Sequence, residues 1–333
     1  MSGRYSDHDV EHYDRPRRRT RPRTKERPTY DEADEGVVVT VDRGRLTLQV
    51  GVGTTARTVM AMKARPLGRK GVVVGDRVRV VGDTSGQDGT LARVVEVYER
   101  TTVLRRTADD DDPVERVLVA NASQLVVVTA LADPEPQPRL IDRALVAAFD
   151  AGMRPLLCLT KADLADPETL LDTYRSLGVP WVVTRRGGEL GELTQRLHGQ
   201  TSVLLGSSGV GKSTLVNALV PDARRDVGVV NAVTGRGRHT STSAYMLAMA
   251  DGQGWIIDTP GIRSFGLAHV RPEDLIEAFP DLDEMTEDCP RGCTHAEDEP
   301  ECGLDVAIAA GTVDPERVAS FRRLLAARSA PVW

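Results

Sequence analysis

One short segment constrains the fold of this chain more than any other. Residues 206–214 read Gly-Ser-Ser-Gly-Val-Gly-Lys-Ser-Thr and fit the pattern GxxxxGK[ST]. The apolar run TSVLLG (201–206) precedes the segment, and the helical pattern GKSTLVNALV (211–220) follows it. Glycines let successive backbone N–H groups turn inward around a phosphate, and the start of the helix adds its positive dipole end. The sequence therefore predicts a strand–loop–helix unit that binds phosphate, and the alternative is a Gly/Ser turn that binds nothing.

Within this phosphate loop, two side chains have specific expected roles. Lys212 is expected to reach the β- and γ-phosphates of a nucleotide, and Ser213 to ligate Mg²⁺. The whole set of predicted loop contacts is Gly206, Ser207, Ser208, Gly209, Val210, Gly211, Lys212, Ser213 and Thr214.

A second motif bears on which base is bound. Thr160-Lys161-Ala162-Asp163 ends the strand pattern RPLLCLTK (154–161) and resembles the [NT]KxD guanine motif of GTPases. The Asp163 carboxylate can accept two hydrogen bonds from the guanine N1–H and N2–H₂ edge, which adenine does not offer. All four residues are predicted to contact GTP; the alternative is a strand followed by a helix-capping Asp.

A third motif, DTPG (258–261), follows the apolar run WII and fits DxxG. We expect Asp258 to hold Mg²⁺ through a water molecule, and the N–H of Gly261 to sense the γ-phosphate. The alternative is a strand that ends in a Pro-Gly turn.

The polar, Gly-rich stretch 235–243 lies between the phosphate loop and DTPG, and it suits a switch segment that becomes ordered on the γ-phosphate. Thr240 or Thr242 would supply the second Mg²⁺ hydroxyl. The sequence does not decide between them, and Thr240 is the candidate.

The order of these motifs along the chain is unusual. Most GTPases run phosphate loop, switch Thr, DxxG and then guanine motif, whereas here the guanine motif comes first. The same parts in rotated order indicate a circular permutation. DTPG then ends just before the C-terminal segment, so we expect a γ-phosphate-dependent shift to be transmitted to residues 266–333.

The fold class follows from apolar runs that alternate with helical patterns. Such alternation is typical of a parallel sheet covered on both faces. The predicted strands are 124–131, 154–161, 180–184, 201–206 and 255–261, and the predicted helices are 139–152, 168–178, 189–197, 211–220 and 314–327.

The N-terminal third has a different pattern. Residues 36–105 contain five short strand-like runs with turn residues between them, which favour a small β-barrel such as an OB-fold. Residues 15–27 are rich in Arg and Pro and should be disordered. An acidic run, ADDDDP (108–113), is interpreted as a linker.

Charge is distributed unevenly along the chain, although the formal net charge is only −6. Lys and Arg outnumber Asp and Glu in residues 36–107, whereas residues 266–303 are strongly acidic. A folded basic region is an electrostatic footprint for polyanions; the alternative is a solvated surface. Since the barrel has a single aromatic residue, Tyr98, we expect salt-sensitive phosphate contacts rather than base stacking. The candidate groups are Lys63, Arg65, Arg69, Lys70, Arg77 and Arg79.

Length and composition exclude several classes of protein. A chain of 333 residues suggests about two domains, or three with a short module. No apolar run approaches the ~18–20 residues that span a bilayer, and the N-terminus lacks the apolar region of a secretory signal. We therefore expect a cytoplasmic protein without a membrane partner.

Four residues near the C-terminus have metal-ligand spacing: Cys289, Cys293, His295 and Cys302. Such a set suits tetrahedral Zn²⁺, and because it needs no open position the predicted site is structural. The alternatives are free thiols or a redox pair. Cys158 lies in an apolar strand and is interpreted as a core residue.

Taken together, these motifs resemble those of the ribosome small subunit-dependent GTPase A (RsgA) family of bacterial circularly permuted GTPases. The similarity covers roughly residues 36–333 and is carried by TKAD, GSSGVGKST, GRGRHTST (235–242), DTPGIRSFGL (258–267) and CPRGCTH (289–295) with Cys302. The family's Ser-Ala element after the guanine motif is not evident, and Val182–Arg185 stands in its place.

The resemblance implies a multidomain fold: an OB-fold β-barrel, a circularly permuted α/β P-loop GTPase domain and a small α-helical zinc-binding domain. The expected bounds are a basic tail (1–35), the RNA-binding barrel (36–107), the GTPase domain (108–265) and the zinc domain (266–333).

The resemblance also implies an activity and partners. These are GTP hydrolysis stimulated by the small (30S) ribosomal subunit, a role in late maturation of that subunit, and contact with 16S rRNA by a monomer. Ile262 follows DTPG where many GTPases have a water-orienting Gln, and the resemblance assigns catalysis to His239 instead. The alternative role of His239 is rRNA contact or none.

Two other functions remain open from the sequence. One is a nucleotide-gated RNA-binding module in which hydrolysis is incidental. The other is an ATP-dependent kinase or ATPase on the same phosphate loop, against which the guanine motif argues.

Overall fold

The structure is a computed structural model that describes residues 30, 32–51, 53–67, 71–107, 115–220, 244–259, 267 and 269–329. Its strands are β1 (Asp34–Asp42), β2 (Arg45–Val50), β3 (Arg57–Lys63), β4 (Arg77–Val81), β5 (Ala92–Val97), β6 (Val103–Thr107), β7 (Glu115–Ala120), β8 (Gln124–Ala130), β9 (Arg154–Thr160), β10 (Trp181–Val183), β11 (Thr201–Leu205), β12 (Tyr245–Ala248) and β13 (Trp255–Asp258). Its helices are α1 (Pro138–Asp150), α2 (Glu168–Arg175), α3 (Gly191–Leu197), α4 (Lys212–Leu219), α5 (Pro272–Ile276), α6 (Pro280–Asp283), α7 (Gly303–Ala310) and α8 (Pro315–Ser329).

Strands β1 to β5 form the predicted barrel. Their order is β1-β2-β3-β5-β4, and an added antiparallel pairing of β1 with β4 closes it. Alternate side chains of these strands point inward, because successive residues of a strand face opposite sides. Small and branched residues such as Val38, Val59, Val78 and Val94 fill the interior. The OB-like β-barrel is therefore confirmed, and β1 begins slightly before the predicted start at Gly36.

A β-hairpin that sequence analysis missed follows the barrel. Strands β6 and β7 pair antiparallel, with Val103 opposite Ala120 and Thr107 opposite Glu115. The predicted acidic linker lies between these two strands in the chain. Residues on both sides of it are thus paired in one ladder.

The second sheet is the parallel one that the apolar runs predict. Its order is β10-β9-β8-β11-β13-β12, and only β12, a strand that sequence analysis did not identify, runs antiparallel. The central strand β8 is buried along its whole length, as expected when helices cover both faces. Leu125 and Val127 belong to the apolar cluster on one face, and Val126 and Val128 to the cluster on the other.

The barrel and the parallel sheet are joined edge to edge. Strand β12 pairs antiparallel with β1, where Tyr245 is opposite Thr40. The outward-facing Val39 of β1 belongs to the same apolar cluster as β8 and β11. The two parts thus belong to one continuous sheet.

The C-terminal segment is helical, as predicted. Helix α8 packs on α1, and Phe279 makes edge-on contacts with Phe149 and Phe321 at ring centroid distances of 4.9 and 5.5 Å. These aromatic rings bury apolar surface between α1 and the C-terminal helices.

The predicted strands and helices of the parallel sheet are all present, with ends that differ by a few residues. Among the described residues, no helix combines the length and apolar character that a bilayer crossing requires. The predicted tail lies almost entirely outside the described residues, as does the whole predicted switch segment, 235–243.

Candidate functional site

The phosphate loop connects β11 to α4 at the carboxyl edge of the parallel sheet. Gly209 and Gly211 have φ angles of +84° and +93°, which residues other than glycine rarely adopt. A Cβ atom at Gly206 would lie 2.4 Å from the carbonyl oxygen of Val128, so only glycine fits against β8. Lys212 opens α4, whose first N–H groups face the same edge. The loop therefore has the conformation that a phosphate-binding site needs.

The guanine motif lies beside this loop. Register places Ala130 opposite Thr160 in β8–β9 and Leu205 opposite Val127 in β8–β11, so the strand ends meet at one edge. The Thr160 hydroxyl donates to the carbonyl oxygen of Val210 in the phosphate loop at 2.6 Å. The two motifs, separate in the chain, are thus in direct contact.

Lys161 and Asp163 project from the turn after β9. Lys161 has φ +60° and its Nζ donates to the carbonyl oxygen of Asp133, which follows β8. Asp163 is exposed, and its Oδ1 accepts from the backbone N–H of Arg186 at 3.4 Å. The Asp163 carboxylate remains open to a ligand at the edge.

The loop after β10 stands where the family's Ser-Ala element was expected. The N–H of Ala162 donates to the carbonyl oxygen of Thr184 at 3.1 Å, and the N–H of Thr184 to that of Leu159 at 2.7 Å. These contacts hold residues 184–186 beside the guanine motif. Backbone groups, rather than a recognisable side-chain motif, therefore join this loop to the guanine motif, and no sequence signal marks these contacts.

Asp258 and Lys212 form a buried charged pair. Lys212 Nζ lies 3.8 Å from Asp258 Oδ1 and donates to the carbonyl oxygen of Thr259 at 2.9 Å. Burial lowers the pKa of Lys212, and the Asp258 charge opposes that shift. Burial raises the pKa of Asp258, opposed by Tyr245 and Lys212. The third predicted motif thus directly contacts the phosphate loop.

The arrangement fits a magnesium–nucleotide complex. Asp258 Oδ1 is buried and has no hydrogen-bond partner among the residues that the structure describes. Lys212 lies beyond hydrogen-bond distance of this oxygen, so Oδ1 can still accept a hydrogen bond, for example from a water on Mg²⁺, which prefers oxygen ligands. Ser213 is exposed in the first turn of α4.

Three predicted site residues lie outside the described residues: His239, Thr240 and Gly261. Their predicted roles in catalysis, Mg²⁺ binding and γ-phosphate sensing remain predictions.

One contact in the site was missed by sequence reasoning. The Tyr245 hydroxyl donates to Asp258 Oδ2 at 2.7 Å. Tyr245 belongs to β12, a short strand without alternating polarity, so nothing in the sequence signals that contact.

The predicted metal ligands form a compact cluster. The ligand atoms of Cys289, Cys293, His295 and Cys302 all lie within 4.8 Å of one another. His295 Nδ1 is 3.7, 3.5 and 3.8 Å from the Sγ atoms of Cys289, Cys293 and Cys302. Bond lengths of about 2.3 Å for Zn–S and 2.0–2.1 Å for Zn–N give a tetrahedron with N···S edges of about 3.6 Å. The four side chains therefore fit one zinc ion.

Local chemistry also suits a thiolate-bound cation. The N–H of Gly303 donates to Cys289 Sγ at 3.1 Å. Burial raises the pKa of Cys293 to about 11, so a thiolate there needs a compensating cation. By contrast, burial raises the pKa of Cys158 to about 12, and this thiol lies in the core as predicted.

The sequence and structure are similar to those of known proteins. A family profile described as "RsgA GTPase" matches residues 97–268, which hold all three nucleotide motifs. "Small ribosomal subunit biogenesis GTPase RsgA" of Pseudomonas putida is 41% identical over 264 residues, covering 77% of this chain and 74% of that protein.

Solved structures agree with this similarity. YjeQ from Thermotoga maritima superposes with a TM-score of 0.63 at 26% identity, covering 90% of this chain and 99% of that chain. YloQ, described as a circularly permuted GTPase, has a TM-score of 0.64 at 22% identity over 91% of this chain and 98% of that one, and so supports the fold. The permuted motif order, the profile match across just over half of the chain and the 41% identity lead to one conclusion: this chain belongs to the RsgA GTPase family.

Proposed function

We propose that this protein binds and hydrolyses GTP on the small ribosomal subunit during the late maturation of that subunit. The observation that carries the proposal is the Thr160–Val210 hydrogen bond of 2.6 Å. It joins a guanine motif to a phosphate loop, and both belong to a chain 41% identical to a small ribosomal subunit biogenesis GTPase.

The nucleotide would lie along the carboxyl edge of the parallel sheet. Asp163 recognises the guanine edge, with Lys161 beside it, and the loop residues from Gly206 to Thr214 surround the phosphates. Lys212 leaves its contact with the Thr259 carbonyl and neutralises the β- and γ-phosphates. The geometry supports these roles because the motif and the loop are in contact.

Hydrolysis needs groups that act on the γ-phosphate and on the attacking water. Mg²⁺, when bound, neutralises charge on the β- and γ-phosphates. Ser213 and Thr240 would ligate it, and Asp258 would hold one of its waters. His239 accepts a hydrogen bond from the attacking water, and the N–H of Gly261 contacts the γ-phosphate. These assignments follow the family's motif order.

We further propose that Cys289, Cys293, His295 and Cys302 bind one structural Zn²⁺. The ion would hold together an acidic segment that has few apolar side chains of its own. The proposed domains are the barrel (36–107), the GTPase domain (108–265) and the zinc domain (266–333), with the basic tail (1–35) before them.

The barrel would contact 16S rRNA through phosphates. Arg77 and Arg79 lie on β4, but each is within 3.6 Å of a carboxylate, of Glu35 and Glu96 respectively. These acidic neighbours reduce the local positive charge, so contact through this strand would be weak and salt-sensitive. Lys63 ends β3 and Arg65 follows it, whereas Arg69 and Lys70 fall outside the described residues. A ribosomal partner implies a cytoplasmic protein.

GTP turnover with and without purified small subunits tests the proposal. We expect turnover to rise when small subunits are added, and Lys212→Ala to abolish it, since the phosphate loop then lacks its cation. Turnover that small subunits leave unchanged would contradict the proposal and favour a nucleotide-gated RNA-binding module with incidental hydrolysis. Competition by ATP as effective as by GDP would indicate an ATP-dependent enzyme instead.

A second measurement tests the partner directly. Co-sedimentation with small subunits should be stronger with a non-hydrolysable GTP analogue than with GDP, and should weaken as salt rises. Equal co-sedimentation in the two nucleotide states would show that the nucleotide does not control binding.

A further inference from the structure

A tyrosine lies directly across a ladder from the aspartate of the DxxG motif. Tyr245 on β12 is opposite Asp258 on β13 in the antiparallel pairing. Directly opposed residues of an antiparallel pair project from the same face, close enough for their side chains to touch. The Tyr245 hydroxyl accordingly donates to Asp258 Oδ2 at 2.7 Å.

The two oxygens of Asp258 have different surroundings. Oδ2 accepts from Tyr245, whereas Oδ1 lies 3.8 Å from Lys212 Nζ and has no hydrogen-bond partner within the described residues. The terminal torsion of an aspartate is broad and roughly two-fold, so the bond to Cβ by itself does not fix the carboxylate plane. The hydrogen bond from Tyr245 supplies the missing constraint.

Burial strengthens this constraint. Asp258 is buried and Tyr245 is partly buried, so little water competes for this hydrogen bond. A hydrogen bond to an ionised acceptor is shorter and stronger than one between neutral groups. The contact therefore favours both the charge and the orientation of Asp258.

The backbone of Tyr245 is held on both sides. Strand β12 pairs with β13 on one edge, and on the other Tyr245 is opposite Thr40 of β1 in the barrel. A side chain that projects from an interior strand is positioned more precisely than one on a loop. Pairing on both edges of β12 thus fixes the position of the Tyr245 backbone.

We propose that Tyr245 is a positioning residue for magnesium: its hydroxyl binds Asp258 Oδ2 and so turns Oδ1 toward the phosphate loop, where a Mg²⁺-bound water needs an acceptor. This proposal rests on the proposed binding of GTP and Mg²⁺. It assigns Tyr245 no contact with the nucleotide itself.

The test is the release of a fluorescent GDP analogue from the full chain across a range of Mg²⁺ concentrations. Tyr245→Phe keeps the ring and deletes the hydroxyl. We expect the Mg²⁺ concentration that half-maximally slows release to rise about 10-fold, at the lower end of the effect of groups that orient a metal ligand. The release rate in EDTA should equal that of the unsubstituted chain, because no Mg²⁺ is then bound.

A matched control is available in the barrel. The Tyr98 hydroxyl donates to Glu35 Oε1 at 2.6 Å, so Tyr98→Phe deletes the same kind of tyrosine–carboxylate hydrogen bond away from the phosphate loop. This variant should show the Mg²⁺ dependence of the unsubstituted chain. In an Asp258→Asn background, Tyr245→Phe should add no further effect, since the two changes act through one carboxylate.

Several outcomes would overturn the proposal. One is a Mg²⁺ dependence of Tyr245→Phe that superimposes on that of the unsubstituted chain. Another is an EDTA release rate altered as much as the rate in Mg²⁺, since this would show a general structural role. If the analogue does not bind the unsubstituted chain at all, the proposed function itself fails, and this inference fails with it.

Discussion

Thr160 and Gly206 show how single residues bring two distant motifs into one site. The Thr160 side chain contacts the phosphate loop rather than solvent, at 2.6 Å from the Val210 carbonyl. Gly206 lets the loop pass against β8, where a Cβ atom would meet the Val128 carbonyl at 2.4 Å. The role of Gly206 depends on the absence of a side chain, whereas that of Thr160 depends on its hydroxyl donor.

At the residue scale, Asp163→Asn tests recognition of the base. The amide has the size of the carboxylate, but its NH₂ group replaces one acceptor oxygen. A donor would then lie against a guanine N–H donor, and one hydrogen bond would be lost. We expect GDP affinity to fall by about 10- to 100-fold, the range for hydrogen bonds to a charged group. Equilibrium titration with a fluorescent GDP analogue measures it.

Asp166→Asn is the matched control for this change. Asp166 is exposed, and its Oδ1 accepts from the N–H of Glu168 at 3.0 Å, a contact that an amide oxygen can also make. The GDP affinity of the Asp166→Asn variant should match that of the unsubstituted chain. If Asp163→Asn also binds GDP normally, Asp163 does not recognise the base.

At the element scale, the segment from Cys289 to Cys302 brings four candidate metal ligands together. Cys302 immediately precedes α7, and a Cβ atom at Gly303 would lie 2.1 Å from the Met285 carbonyl. Helix α7 is therefore packed tightly against the chain before Cys289. A metal ion that joins these parts would fix the start of the helix.

Cys302→Ser tests this element. Elemental analysis of the unsubstituted protein should give about one zinc per chain, and Cys302→Ser should lower it towards zero, because zinc prefers thiolate in such sites. Hydrogen exchange in residues 284–310 should become faster in the variant. The control Cys158→Ala removes a buried thiol outside the cluster and should keep its zinc. Full zinc content in Cys302→Ser would disprove the assigned ligand set.

At the scale of the whole molecule, α8 connects the cluster of Cys289, Cys293, His295 and Cys302 to the helices that cover the parallel sheet. Arg322 pairs with Asp305 at 2.8 Å and donates to the His295 carbonyl at 3.1 Å, on the side of the cluster. Arg323 lies 3.3 Å from the buried carboxylate of Asp142 in α1 and donates to the Thr173 carbonyl in α2 at 3.1 Å. Adjacent residues of one helix thus hold two parts of the molecule together.

Arg323→Met tests that connection through its pH dependence. Burial raises the pKa of Asp142, and Arg323 opposes this shift. A carboxyl whose pKa is higher in the folded than in the unfolded state costs stability as pH rises through the interval between the two values. Without Arg323 the folded value rises further, and this interval widens.

We therefore expect the loss of unfolding free energy in Arg323→Met to be small below about pH 3, where the carboxyl is mostly protonated in both states. It should grow to about 2–3 kcal/mol at pH 7, below the full range for a buried pair because Arg323 is partly exposed. Urea unfolding across this pH range measures it. The control Arg175→Met removes exposed ion pairs and should change stability little. A loss that does not depend on pH would contradict the role of the Asp142 charge.

The sequence by itself determined the local elements and the identity of the motifs. Residues 206–214, 160–163 and 258–261 have spacings that few other functions require, and β8 is largely apolar because helices cover both of its faces. These features depend only on residues close together in the sequence, so they can be predicted from the sequence.

Only the tertiary structure decided which distant groups touch. The pairing of β12 with both β13 and β1, the Tyr245–Asp258 hydrogen bond and the Arg323–Asp142 contact each join residues from separate elements. Strand β12 is too short to show a pattern, and the β6–β7 hairpin lies on both sides of an acidic run that resembles a linker. Such contacts depend on strand order and register, which the packing of the whole chain sets and no local periodicity encodes.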